Sequence, residues 1–362
     1  MAVFANSGLG AQLVMLPEAT YGVAPTLTSP MAFEFNSETL ALKKNIVQGM
    51  GLHAGGLFNR GVRRVLTTYS AGGGITMDLP SRALNRLLMQ MFGSKSLAAA
   101  TLVQDGVTGA YSATHAPGSL LGTSMCIQKG VPSVDAASAA NPFTYVGQKL
   151  TDWEISVATG AIATLALNWT GRNELAGAGN GDPLNGSVPA LATFTEPVTD
   201  QIFHFREATL YSGGACTTTA GVTSVTGNSA AGNVRSAKVK MAFHLDTGRY
   251  FLGSNGFIAE PIENAFRDIT GEFVIEWLNS EAMYNAFAAD TPTTLQLQFI
   301  GPSIGSGSDH STLTILIPQV YLEGDTPQVG GPAVVTQTVT FTGLDDGANN
   351  PIQALYWTLD SV

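Results

Sequence analysis

The stretch 151–171, TDWEISVATGAIATLALNWTG, begins with a run in which polar and apolar residues alternate (151–158) and ends in a segment that finishes Thr-Gly (163–171). Alternation with a period of two is typical of a β-strand with one buried face. The pattern returns at four further places: 202–211, 234–245, 294–300 and 313–322. The sequence therefore predicts a mainly β protein of the α+β class, dominated by antiparallel sheet.

Two short helices interrupt the strands. The first is predicted to begin with Ser81 as its N-cap and to close at Gly93, with one apolar face: Leu84, Leu87, Leu88, Met91 and Phe92. The second is predicted after Asn279 or Ser280, with these apolar residues: Ala282, Met283, Ala286 and Phe287. Each half of the chain thus carries one flanking helix.

The two halves share landmarks in the same order, which predicts an internal duplication. Four matches carry it: Glu18–Tyr21 with Glu207–Tyr211, Met31–Phe35 with Met241–Leu245, Gly74–Leu79 with Gly271–Glu276, and Ala163–Gly171 with Val334–Gly343. We expect a first unit at 1–195 and a second at 196–362. The first unit has an insertion within 95–145 and ends in a Gly/Pro/Asn-rich linker at 172–200.

Composition favours a subunit that buries surface against copies of itself. The chain has 362 residues, which favours two domains. Only 12% of its residues are charged, about half of the usual share, so much neutral surface is exposed. The net charge of −10 argues against tight nucleic-acid binding, which needs a basic surface.

No group of residues predicts catalysis, and no cofactor-binding or metal-binding residue is predicted. Gly301–Gly305 fits the G-x-S-x-G pattern, but a nucleophile elbow needs a following helix, and a second strand follows instead. The five histidines lack metal-ligand spacing. Cys126 and Cys216 form no CxxC motif and are expected to be reduced thiols.

Charges are segregated along the chain. Residues 39–77 contain no Asp or Glu but hold five basic residues: Lys43, Lys44, Arg60, Arg63 and Arg64. Residues 255–290 are rich in acids, of which three are the predicted contacts: Glu260, Glu263 and Asp268. One interpretation is two differently solvated surfaces. The alternative is a basic hairpin arm that reaches an acidic patch on a neighbouring copy, where complementary charge sets the register of the contact.

These ordered features resemble the major tail tube proteins of long-tailed, siphovirus-like bacteriophages. The resemblance lies in Glu18–Gly22, Phe33–Phe35, the basic arm through Arg64, the helix that ends Met91-Phe92-Gly93, and a C-terminal set of segments: Thr270–Phe273, Leu313–Pro318 and Pro327–Thr342. It implies β-sandwich or partial-barrel units, each flanked by a helix, that join edge to edge into rings. Stacked rings would form a hollow tube for genome delivery.

The resemblance also implies partners and a location. Two units per chain favour homotrimeric, pseudo-hexameric rings, with a homohexamer as the alternative. Other partners would be the tape measure, tail terminator and tail tip proteins, and DNA would cross the lumen without specific binding. No membrane anchor is expected, because no stretch approaches about 20 apolar residues. The protein would be assembled in the host cytoplasm and end in the virion tail.

Two other functions remain open at this stage. One is another virion component, such as a head-decoration or baseplate protein. The other is a β-rich carbohydrate-binding protein, which should carry an aromatic-lined cleft. Aromatic residues make up only 8% of the chain and are dispersed, which argues against that function.

Overall fold

The structure is a computed structural model that describes residues 8–28, 30–93, 103–104, 109–132, 140–177, 182–185, 187–194, 201–277, 282–305, 309–324 and 326–360. Strands dominate these residues and two short helices accompany them. The predicted mainly β fold is therefore confirmed.

In its described residues, the first half contains eleven strands and one α-helix. They are β1 (Gln12–Pro17), β2 (Met31–Ala32), β3 (Ser37–Glu38), β4 (Ala41–Gln48), β5 (Arg64–Asp78), α1 (Asn85–Phe92), β6 (Val103–Gln104), β7 (Tyr111–His115), β8 (Met125–Pro132), β9 (Ala140–Ala158), β10 (Thr164–Gly171) and β11 (Asn173–Leu175).

The part of the second half that the structure describes contains twelve strands and one α-helix. They are β12 (Ala208–Ser212), β13 (Ala215–Thr219), β14 (Val222–Thr226), β15 (Ser229–Ala230), β16 (Val234–Ala242), β17 (Leu245–Asp246), β18 (Ile262–Glu263), β19 (Asp268–Glu276), α2 (Ala282–Ala288), β20 (Thr293–Ser303), β21 (His310–Gly324), β22 (Thr336–Gly343) and β23 (Gln353–Thr358).

The strands of the two halves pair in the same order. In the first half, β3 and β4 pair with β5, β5 with β10, and β10 with the C-terminal part of β9. In the second half, β16 pairs with β19, β19 with β22, and β22 with the C-terminal part of β21. The N-terminal part of the long strand β9 pairs with β8 and β11. The N-terminal part of the long strand β21 pairs with β20 and β23. Each long strand thus takes part in two layers of sheet.

Two strand pairings join the halves within the described residues: β7 pairs with β23, and β9 pairs with β16. Strand β9 of the first half pairs antiparallel with β16 of the second, from Asp152 opposite Ala242 to Ala158 opposite Ser236. The strand order β4–β5–β10–β9–β16–β19–β22–β21 is therefore one continuous sheet across the chain.

The alternating sequence pattern explains which face of this sheet is covered. Trp153, Ile155 and Val157 point into the core, and the buried residues of the other strands continue that face. Trp153 packs on Phe92 of α1, with ring centroids 5.7 Å apart, and its indole N–H donates to the Met91 carbonyl at 2.9 Å. The helix predicted to end at Gly93 therefore covers the sheet, and Gly93 adopts the positive φ of 81° that a glycine C-cap supplies.

The predicted N-cap at Ser81 is wrong. The helix begins at Asn85, and Ala83 before it has a positive φ of 59°. The carboxylate of Asp360 holds this turn instead, accepting from the Ala83 N–H at 2.6 Å and pairing with Arg82 at 2.5 Å. A residue at the far end of the chain thus supplies what Ser81 was expected to supply. The other predicted caps, Asn279 and Ser280, lie outside the described residues.

Two of the four landmark matches are also wrong. Glu18–Tyr21 follows the first strand of its half, whereas residues 208–211 lie within the first strand of theirs. Met31 lies on β2, whereas Met241 lies near the end of β16, which corresponds to β3 and β4. The Gly74 match is offset by one residue. Gly73 lies opposite Trp169, two residues before the end of β10, and Gly271 lies opposite Phe341, two residues before the end of β22. Gly73, and not Gly74, therefore corresponds to Gly271.

Strand predictions were otherwise accurate, with one exception. The segments 151–158, 234–245, 294–300 and 313–322 all fall largely on strands. At 202–211, only 208–211 is strand, because residues 205–207 form a 3₁₀ turn. Within the predicted insertion, β7 pairs with β23 of the other half, so this segment extends the second half's sheet.

The described part of the predicted linker is packed against the first half. Asp182 forms a buried ion pair with Arg172 at 3.1 Å. The Ala192 N–H donates to the Gln128 side chain at 2.7 Å, and Gln12 donates to the Ala192 carbonyl at 3.1 Å. The segment therefore has little regular structure but is fixed in place.

Candidate assembly interface

A two-stranded ribbon, formed by residues 41–67 and hereafter called the arm, projects from the first half. Its strands β4 and β5 pair only with each other over most of this length, and most arm residues are exposed on both faces. An isolated two-stranded ribbon is at best marginally stable in water. The arm is therefore suited to packing against another surface.

The tip of the arm carries an unusual amount of exposed apolar surface. Five large apolar side chains between 50 and 62 are at least 73% exposed: Met50, Leu52, Leu57, Phe58 and Val62. Such a concentration of exposed apolar side chains in one short segment is typical of an interaction site in a soluble protein.

All five basic residues predicted as contacts lie on the arm and are exposed: Lys43, Lys44, Arg60, Arg63 and Arg64. The structure therefore brings them together along one projecting ribbon. The sequence signal that located them was the absence of acidic residues from 39 to 77.

The three predicted acidic contacts lie apart from the arm's charges and form ion pairs within the chain. Glu260 pairs with Lys149 at 2.6 Å, and Glu263 pairs with Arg267 at 2.5 Å. Asp268 contacts His244 at 2.6 Å and keeps 59% of its side chain exposed. Asp268 is thus the most accessible of the three carboxylates.

Glu260 belongs to a segment, residues 243–267, that we call the docked loop. It occupies the place in the second half that the arm occupies in the first, between β16 and β19. Phe257 of this loop stacks on Tyr69 with ring centroids 4.9 Å apart, and the Tyr69 N–H donates to the Gly256 carbonyl at 2.7 Å. The docked loop therefore holds the second half onto the first.

Lys149 anchors the docked loop, and sequence reasoning missed it. Its ammonium group is 1% exposed and donates to the carbonyls of Leu120 and Pro261 as well as to Glu260. Burial lowers the pKa of Lys149, while the hydrogen bond to Glu260 opposes that shift. Its neighbours in β9, Gln148 and Leu150, gave no sequence signal for a buried lysine.

The outer face of the eight-stranded sheet is polar and rich in small side chains. Its threonines include a row of four on β22: Thr336, Thr338, Thr340 and Thr342. Acids outnumber bases on this face, and Lys238 and Lys240 pair with Glu272 and Asp152. Burial is slight at Lys238, and the hydrogen bond to Glu272 raises its pKa. The face is therefore polar and acidic.

Both ends of the sheet present open strand edges. Strands β3 and β4 pair with β5 on one side, and no described strand pairs with their other side. At the far end, residues 321–324 of β21 pair with β22, and again no described strand pairs with the opposite side. Unpaired N–H and C=O groups along an edge are a template for another strand.

The segment Glu18–Gly22 is a structural anchor. The buried Glu18 carboxylate accepts from the N–H groups of Gly22 at 2.8 Å and Gly147 at 2.7 Å, and from the Ser124 hydroxyl at 2.6 Å. Burial raises the pKa of Glu18 to about 7, and these hydrogen bonds lower it in part. Glu18 thereby ties the loop after β1 to β9.

The G-x-S-x-G segment forms a hairpin between β20 and β21, as the absence of a following helix predicted. Ser303 lies opposite His310, whose Nδ1 is 2.7 Å from the Gly301 carbonyl oxygen. This geometry engages the histidine ring with the backbone of the hairpin. Within the described parts of the chain, no three His, Cys, Asp or Glu side chains cluster as a metal site requires.

None of the helices in the described residues is long and apolar enough to cross a membrane. Among protein families, a model described as phage tail tube protein matches residues 8–343, nearly the whole chain. A comparison with curated proteins found no match.

Proposed function

Because this chain belongs to the phage tail tube protein family, we propose that it assembles into stacked rings that form a tail tube for genome delivery. The chain is a structural component of the virion tail and not an enzyme. The observation that carries the proposal is a sheet with open edges at both ends and a projecting, apolar-tipped arm. Each feature needs a partner, and a second copy supplies both.

We propose two tandem units per chain, 1–195 and 196–362, and rings of three chains. The support is the shared pairing order of the two halves and the β9–β16 pairing that joins them. If the junction between chains repeats the junction within a chain, three chains close a ring of six similar units. A homohexamer would require a different junction between copies.

The outer sheet face is our candidate for the lumen wall. Its threonines and acids do not attract phosphates, and Lys238 and Lys240 on this face are already paired with Glu272 and Asp152. An acidic wall repels the DNA backbone and lets it slide. The remaining partners would be the tape measure, tail terminator and tail tip proteins of a siphovirus-like phage, with assembly in the host cytoplasm.

The arm's basic residues are proposed to contact a neighbouring copy, with Asp268 as the most exposed of the predicted acceptors. Replacing Arg63 and Arg64 with Glu is expected to raise the concentration needed for assembly about tenfold, because like charges would then face each other. Sedimentation of assembled material across a concentration series measures this. Circular dichroism should show an unchanged fold, because both side chains are exposed.

A matched variant, Arg63→Lys with Arg64→Lys, keeps both charges and should assemble as the wild type does. Normal polymers from the Glu variant would remove these arginines from the interface. A salt titration adds a second readout, because interactions between exposed charges weaken as the ionic strength rises.

Negative-stain electron microscopy with native mass spectrometry of the purified protein tests the function itself. Hollow tubes or rings of three chains, each of 37.7 kDa, are expected. Rings of six chains would support the tube function. They would reject the proposal that the two units of one chain fill two positions of the ring. A persistent monomer, or binding only to preformed heads or baseplates, would reject the proposal.

A further inference from the structure

We infer that β4 of one copy pairs antiparallel with the C-terminal end of β21 in the next copy, in a register that places Lys43 opposite Glu323. The inference rests on the proposed ring and specifies its junction. The template is the β9–β16 pairing, which joins the two halves within one chain. Strand β21 corresponds to β9, and β3 and β4 correspond to β16. The open edge of β21 therefore matches the β9 side of this pairing, and the open edge of β3 and β4 matches the β16 side.

The ends of the neighbouring strands fix the position of Glu323. Asp152 on β9 lies opposite Asn168, three residues before the end of β10. Glu323 on β21 lies opposite Thr340, three residues before the end of β22. Both β10 and β22 end in Thr-Gly, so Glu323 occupies the place in the second half that Asp152 occupies in the first.

The same reference fixes the position of Lys43. Ala242 on β16 lies opposite Asp268 of β19. Asp268 comes directly before Ile269, which lies opposite Gly343 at the end of β22. In the same way, Lys43 on β4 lies opposite Ser70 of β5. Ser70 comes directly before Ala71, which lies opposite Gly171 at the end of β10. Within the chain Ala242 lies opposite Asp152. The corresponding pair between copies is therefore Lys43 and Glu323.

Backbone polarity at both edges agrees with this register. The Thr39 N–H donates to the Gly74 carbonyl, so by alternation Leu42 and Lys44 direct their backbone groups away from β5. The Leu344 N–H donates to the Gln319 carbonyl, so Leu322 and Gly324 direct theirs away from β22. Leu42 and Gly324 would then form a hydrogen-bonded pair, with Lys43 and Glu323 in the adjacent non-hydrogen-bonded position.

Charge is complementary in the same sense at both junctions. Within the chain, Lys240 of β16 reaches Asp152 of β9 at 3.6 Å. Between copies, Lys43 and Glu323 are both exposed, and the Glu323 carboxylate accepts only from the Thr342 hydroxyl, at 3.0 Å, among its described contacts. A lysine on the β4 side and an acid on the β21 side repeat the sense of the charges, although Lys240 lies two residues from the position opposite Asp152.

One end of the β3–β4 edge is already capped in the free chain. The Leu40 N–H donates to the Glu38 carboxylate at 2.8 Å, and its carbonyl accepts from Lys129 at 2.9 Å and from the Tyr145 hydroxyl at 3.0 Å. Pairing is therefore expected to begin at Leu42–Lys44, where the backbone groups face outward, and to extend past Leu40 only if these side chains turn away.

Cysteine crosslinking tests the register in assembled material. In a non-hydrogen-bonded antiparallel pair the Cα atoms lie about 4.5 Å apart, which suits a disulfide. Lys43→Cys with Glu323→Cys should therefore give covalent multimers on a non-reducing gel, up to a closed trimer. The control, Lys44→Cys with Glu323→Cys, places the thiols on opposite faces and should crosslink at least tenfold less. The single variants report any contribution from Cys216.

Charge exchange provides a second route if the cysteine variant assembles poorly. Lys43→Glu should raise the assembly concentration about tenfold, and adding Glu323→Lys should restore it. Tubes of the cysteine pair that stay uncrosslinked, or control tubes that crosslink equally well, would overturn the register while leaving the tube function intact. A wild-type chain that never assembles would overturn the proposed function and this junction with it.

Discussion

Replacing residues 50–62 with an Asn-Gly turn is expected to abolish tube formation and to leave a folded, monomeric subunit. The segment carries five exposed large apolar side chains, each worth about 1.5–3 kcal/mol when fully buried against a partner. Their removal would therefore cost the assembly several kcal/mol for every arm. Gly49 and Arg63 already close the ribbon with a backbone hydrogen bond of 2.9 Å, so a tight turn fits there.

Electron microscopy and sedimentation measure the loss of tubes, and thermal unfolding measures the fold. The midpoint should move by less than about 3 °C, because the deleted side chains are exposed in the free subunit. A graded control, Leu57→Ser with Phe58→Ser, removes two of the five apolar side chains and should weaken assembly only in part. Normal tubes from the deletion variant would show that the arm tip is dispensable.

Glu18→Ala is expected to destabilise the subunit by about 4 kcal/mol. The change leaves three buried donors without their acceptor: the N–H groups of Gly22 and Gly147 and the Ser124 hydroxyl. Each buried donor left unsatisfied costs about 1–3 kcal/mol. Urea unfolding followed by tryptophan fluorescence gives the free energy of unfolding.

Ser124→Ala is the matched control, because it removes one of the three donors and leaves the carboxylate with two backbone partners. Its expected cost is about 1 kcal/mol. An equal loss from both variants would mean that the carboxylate's backbone hydrogen bonds contribute little. Unchanged stability of Glu18→Ala would show that water replaces the carboxylate at no cost.

The same residue should make stability depend on pH. The folded-state pKa of Glu18 is about 7, above its ordinary value of 4.5, so the folded chain binds this proton more tightly than the unfolded chain. Its contribution to stability is therefore present below pH 4.5 and is lost as the pH rises to about 7. Glu18→Gln does not titrate, so the difference in unfolding free energy between the two proteins should change across this window. Buried His115 titrates in both and cancels.

Local sequence patterns determined the strands and helices. Alternation at 151–158 and 313–322 predicted strands correctly, because the face of a strand follows directly from its period of two. Gly93 was correctly placed at a helix end because its positive φ is a local requirement. The absence of acids from 39 to 77 likewise located the basic arm.

Matches between short segments failed where distant parts of the chain decide the structure. The Glu18 and Glu207 segments look alike, yet one follows a strand and the other lies mostly within one. Ser81 resembled an N-cap, but Asp360 lies close enough to hold the turn, and no local pattern reveals that contact.

The sequence by itself thus determined the mainly β fold and the tail tube resemblance, because composition and periodicity are local properties. The tertiary structure alone decided how the halves join, which edges stay open and which charges remain available. Strand pairing and ion pairs such as Lys149–Glu260 bring together residues more than a hundred positions apart. Their geometry depends on packing of the whole chain, which no local window of sequence contains.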